Sequence, residues 1–333
     1  MGNFDRALDL RRRLPLDNPR FRYGLAACWL NRADALVRSG GAEELAAALG
    51  AYDEAIELLR GLPLDADPRY RRRLAIAHQN RGRAFLGRGD ERGEEATAAF
   101  VAAISLLEDD RASRIDDRQH LLAAVWANLA GARLAEAAPG RTALARDAAA
   151  RAIALVADLE ATNIDAADVG LRARHILCLA LAKRLKGADV PPDPTFADVH
   201  GATNAVDDGL ALVDKWERTG DIRFRGLAAD LFKFGALVYR IYQPQFLDKF
   251  IRAHQREVNC LSCDSSIRVA AERASAPVAL APSGERPSAP VHVALAEAHE
   301  RGGRRRRAFD CGPDQRLTTR SRQRARGAST RGR

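Results

Sequence analysis

Three asparagines occupy the same place in a recurring pentapeptide: Trp29-Leu-Asn31-Arg-Ala33, His78-Gln-Asn80-Arg-Gly82 and Trp126-Ala-Asn128-Leu-Ala130, separated by 49 and 48 residues. An asparagine amide offers a donor and an acceptor side by side, which matches the alternating groups of an extended peptide backbone. The other chemistry-bearing residues do not assemble by spacing. Cys260 and Cys263 form half of a zinc-type pair, but a closed site needs four ligands. His254, His292, His299 and Cys311 are the remaining candidates, and the gap from His292 to His299 is wider than the usual ligand pair. Asp53-Glu54, Glu43-Glu44 and Glu94-Glu95 have the spacing of helix-surface charges, and no glycine-rich phosphate loop follows a strand pattern. His78 stands in an aromatic slot, while His120 and His175 have no nucleophile or carboxylate set beside them by the repeat. The residues therefore predict a chain that binds and does not catalyse, with no cofactor and no metal.

The elements that would position the asparagines are repeated too. Tyr52-Asp-Glu-Ala55-Ile56-Glu-Leu58-Leu59 returns as Phe100 through Ala103-Ile104 to Leu107, and again as Ala149 through Ala152-Ile153 to Val156, in steps of 48 and 49 residues. Two independent series with one period define a unit of two helices: helix A carries aromatic-x-Asn-x-small, and helix B carries Ala-Ile-x-Leu-Leu. Asn18-Pro19 and Asp67-Pro68 supply a side-chain cap followed by proline in the first turn, a pairing that favours helix initiation. Asp116 or Asp117 would cap the third, so helices A are predicted to begin near 19, 68 and 118. A fourth, looser unit is predicted after Asp168, with Cys178 in the asparagine slot, a Pro191-Pro192-Asp-Pro194 insertion, and Gly209 to Val213 in helix B. Phe4 to Asp17 aligns with Tyr52 to Asp65, so the chain opens on a helix B; the register places a matching helix A about 23 residues before Phe4.

These residues resemble the tetratricopeptide repeat, most closely at Tyr52-Asp-Glu-Ala55-Ile56, over roughly residues 4 to 213. The unit is longer than the usual ~34 residues of that family. Ala42 to Leu49 and Thr142 to Ala150 keep helical composition, so the extra length is assigned to longer helices B. The resemblance implies a concave groove lined by helices A and, residue by residue, points to Asn31, Asp34, Gln79, Asn80, Arg83 and Asn128 as its binding positions. Two roles stay open for the asparagines: contact with a partner, or a tie between one repeat and the next. The family's clamp for a terminal carboxylate needs basic residues beside them, and Ala127 and Gly131 in the third unit argue against it. Ala33, Gly82 and Ala130 are expected to let helix A approach helix B closely, with Trp29, His78 and Trp126 filling the space between hairpins.

Charge separates the chain into parts. The net charge is +9, of which residues 257 to 333 carry +7, with fifteen Arg against eight Asp and Glu and a basic run from Arg304 to Arg307. Apolar periodicity stops there, and that tail is predicted to be disordered; a shifted reading frame in GC-rich DNA would give the same composition, and 48 Arg against 5 Lys fits such coding. Residues 221 to 256 gather seven aromatics, Phe224 to Phe250, and read as helices capping the stack, broken at Pro244. The division is thus 1 to 18 (incomplete repeat), 19 to 220 (four hairpins), 221 to 256 (cap) and 257 to 333 (tail). The fold expected is all-α, a solenoid of stacked helical hairpins. Cysteines inside apolar helical stretches and the lack of a signal core or membrane-length apolar run predict a bacterial-type cytoplasmic protein with no membrane contact. The function expected is a scaffold or adaptor holding a protein or peptide; the alternatives are nucleic-acid association through the tail and a regulatory part of a larger enzyme system.

Overall fold

The computed structural model describes residues 2–87, 92–109, 115–136, 140–185, 196–220, 224–242, 249 and 251–252. Ten helices follow one another there: α1 (Gly2–Arg12), α2 (Pro19–Ser39), α3 (Ala42–Arg60), α4 (Pro68–Leu86), α5 (Gly93–Glu108), α6 (Ile115–Ala135), α7 (Arg141–Val156), α8 (Ile164–Leu185), α9 (Phe196–Glu217) and α10 (Arg225–Tyr242). No strand occurs among the described residues. The caps read from sequence form as expected at the first two units: Asn18 Oδ1 accepts from Arg20 N at 3.0 Å and Asp67 Oδ1 from Arg69 N at 2.9 Å, each with proline opening the helix. Gly40, at φ 76°, takes the left-handed conformation that ends α2, one that a side chain would strain.

Two helix starts differ from expectation. α6 begins at Ile115, so Asp116 and Asp117 lie inside its first turn and not at its cap; acidic residues suit either place, and the sequence signal does not separate them. α8 begins at Ile164, ahead of Asp168, because Asn163 Oδ1 accepts from Asp165 N at 2.9 Å and Ala166 N at 3.2 Å. The long helices B are as expected, since α3 and α7 absorb Ala42 to Leu49 and Thr142 to Ala150. Residues 243–248, including Pro244, residue 250 and residues 253 to 333, with Cys260, Cys263, Cys311 and the basic run, lie outside the described residues.

The helices stack as an α-solenoid. In the first three units each helix A packs most extensively on its own helix B, and each helix B packs next most on the following helix A; α8 instead packs more on α7 than on α9. Helices A also touch one another in series, α2 with α4, α4 with α6, α6 with α8 and α8 with α10, whereas successive helices B are not packed together to a comparable extent. Helices A thus make a layer whose members meet, the inner layer, and helices B make the outer one. α10 bears to α9 and α8 the relation that α4 bears to α3 and α2.

Small residues set the closeness within hairpins. Ala33 and Ala130 are fully buried, and a Cβ built on Gly82 would lie 2.7 Å from the ring of Phe100. One continuous core runs through the first three units, with Tyr52, Phe100, Leu59 and Leu107 at its centre. A second is built from α8, α9 and α10, where Phe224, Leu231, Phe232 and Phe234 are buried against Leu171, Leu210 and Val213. At the opposite end Leu8 of α1 is buried, while Leu10 is 58% exposed.

Candidate functional site

A helix buries one stripe and leaves the opposite stripe open, at intervals of three and four residues. On α2 the buried stripe holds Ala26, Leu30 and Ala33, and the opposite one holds Arg20, Gly24, Ala27, Asn31, Asp34 and Arg38. Shifted by the repeat, the same positions on α4 are Arg69, Arg73, Ile76, Asn80, Arg83 and Gly87, and on α6 Leu121, Ala124, Asn128, Gly131 and Ala135. Because α2, α4 and α6 adjoin, these stripes form adjoining rows on the inner side of the stack.

The six positions expected from sequence behave differently. Asn31 is exposed. Asp34 accepts from Tyr52 Oη at 2.5 Å and from Asn80 Nδ2 at 3.2 Å, a bridge joining α2, α3 and α4. Asn80 therefore ties one repeat to the next, while its counterpart Asn31 stays open. Gln79 is buried, and Arg83 and Asn128 are half-buried. In the fourth unit Cys178, in the asparagine slot, is fully buried and burial pushes its thiol pKa up. The asparagine row thus ends at the third unit.

Three neighbours were not singled out by the repeat signature. Tyr23 of α2 and Tyr70 of α4 lie with ring centroids 5.4 Å apart, and Arg73 Nε donates to Tyr23 Oη at 3.3 Å with its guanidinium 5.7 Å from that ring. Counting back from Asn31 and Asn80 in helical steps reaches Arg20, Arg69 and Arg73, so the signal was periodicity and not motif.

The aromatic slots are packing positions. Trp29 lies under Arg12 of α1 at 5.0 Å and Arg32 at 5.8 Å, and Trp126 under Arg151 at 4.7 Å. His78 is buried, its Nδ1 has no hydrogen-bond partner, and burial together with Arg60 and Arg81 lowers its pKa to about 4. It is a ring held neutral in a core slot. Two polar clusters are internal braces. Glu160 takes both guanidinium nitrogens of buried Arg174 at 2.7 and 2.8 Å, and Trp216 Nε1 donates to the Glu160 carbonyl at 3.1 Å. Glu136 accepts from Thr97 at 2.7 Å and lies 2.6 Å from Arg141, joining α5, α6 and α7. Among the described residues no group of His, Cys, Asp or Glu could hold a metal ion, and no helix is long and apolar enough to cross a membrane.

No family model and no curated protein matches the chain. In fold it is similar to the crystal structure of BtubC (BKLC) from P. vanneervenii, with a TM-score of 0.53 and 15% identity, covering 86% of this chain and 94% of that one. At that identity the likeness shows the fold alone.

Proposed function

We propose that this chain is a tetratricopeptide-type scaffold or adaptor that holds a peptide segment of another protein along the inner face of its helices A. The observation that carries the reading is Asn31: it stands in the asparagine row yet is not consumed by the fold, whereas Asn80 is. An exposed amide on a face formed by adjoining rows of helix offers a donor and acceptor pair to an extended backbone. The solenoid supplies rigidity, because each hairpin buries its apolar face only against its neighbours. Cys28 and Cys178, both free thiols within helices, support a reducing, cytoplasmic setting.

The test is selection from a displayed library of random peptides on the full chain. Asn31→Trp should abolish retention of the selected peptides by filling the face, without changing the melting temperature. Val101→Trp, at a position 48% exposed on α5, should leave retention unchanged. Equal loss in both variants, or in neither, would refute the assignment of the face.

A further inference from the structure

Charge divides between the two helix layers of the first two units. α2 carries four arginines to one aspartate, and α4 six arginines to no carboxylate. Their hairpin partners reverse the sign: α3 carries five carboxylates to one arginine, and α5 three to no basic residue. Part of the basic charge is consumed by the fold. Arg22 donates to the Leu16 and Gly61 carbonyls, and Arg32, Arg71 and Arg81 pair with Asp5, Asp65 and Asp53.

Three guanidiniums remain on the open stripes. Arg20 and Arg38 are exposed and Arg73 is half-buried, and among the described residues no carboxylate lies within ion-pair distance of any of them. Arg73 is held in place by Tyr23, which lowers the entropy cost of using it. Asp34, the carboxylate of the α2 stripe, is occupied by Tyr52 and Asn80. Beyond Asp117, the face continues over α6 as Leu121, Ala124 and Gly131, which carry no charge.

We infer that the inner face takes an acidic peptide segment, its carboxylates meeting Arg20, Arg38 and Arg73 and its apolar residues lying over α6; the inference rests on the reading of that face as peptide-binding. Guanidinium groups suit carboxylates through paired N–H donors. The acidic outer layer would repel the same segment, so charge selects the side as well as the partner. Nucleic acid fits less well: single strands are held by aromatic platforms, whereas Tyr23 and Tyr70 lie against each other and Arg73 lies over Tyr23.

Fluorescence anisotropy on the full chain decides it, with four probes: a short labelled peptide with glutamates at one end and leucines at the other, its glutamine and lysine counterparts, and a single-stranded DNA of similar length. The glutamate peptide should bind at least tenfold more tightly than the glutamine form, with the advantage shrinking as salt rises. Arg20→Gln with Arg73→Gln should erase that advantage; Arg20→Gln alone, at an exposed position, should reduce it should the pair fail to fold. Equal binding of the glutamate and glutamine peptides, lost in Asn31→Trp, would overturn the acidic preference and keep the peptide-binding face. Failure of every peptide, library-selected ones included, would remove both. DNA bound as tightly as the glutamate peptide would replace the partner by a nucleic acid.

Discussion

The first three units and the fourth share a topology but are held together by different means. In the former, equivalent positions are buried in each hairpin, Ala33, Gly82 and Ala130 on helix A and Tyr52, Phe100 and Ala149 on helix B, and Gly82 lies against the Phe100 ring. In the latter, packing depends on aromatic residues of α10 and on the buried Arg174–Glu160 pair, whose side chains are 6% and 13% exposed. Periodic packing spreads stability over equivalent contacts, whereas an ion pair concentrates it, because either partner left alone is a buried uncompensated charge.

The largest effect should come from breaking that pair. Glu160→Ala is expected to cost about 3–5 kcal/mol, with amide protection lost first in α8 to α10 and retained in α2 to α5; hydrogen exchange by mass spectrometry separates this from uniform loosening. Gly82→Ala should cost about 1–3 kcal/mol through overpacking, measured by denaturant unfolding. Phe100→Leu in the same chain should recover part of that loss, and strict additivity would show that the two do not meet.

Acid should act next. His78 has a folded pKa of about 4 against an ordinary value of 6.5, so below the ordinary value the unfolded chain binds the proton that the folded chain refuses. Stability is then expected to fall as the pH drops from 6.5 toward 4, by about 1–2 kcal/mol between pH 7 and pH 5. His78→Phe should remove that part of the pH dependence in thermal melts. The smallest effect sharpens the difference between two asparagines. Asn80→Ala should destabilise by about 1 kcal/mol through loss of its bond to Asp34, while Asn31→Ala should leave the melt unchanged.

The repeat was legible because equivalent positions solve equivalent packing problems: Ala33, Gly82 and Ala130 announce close helix contact, and proline after Asn18 and Asp67 announces a helix start. The fourth unit was harder, since Asn163 caps α8 without a following proline and Arg174 finds Glu160 across a turn. On the inner face, the motif marked Asn31, Asn80 and Asn128 alike. Nothing in it distinguishes the exposed amide from the bridging one, because that difference depends on Asp34, which neighbouring units replace by Arg83 and Gly131. The basic stripes carry no motif for a related reason: Arg20 and Arg73 stand out only when helical steps are counted across two helices at once.

Photocrosslinking tests the inner-face assignment most directly. With a benzophenone amino acid placed in turn at Asn31 and at Val101, and a labelled peptide retained by the unmodified chain, crosslinks are expected from position 31 and not from position 101. Crosslinks from position 101 with none from position 31 would place the partner on the outer layer and contradict the assignment.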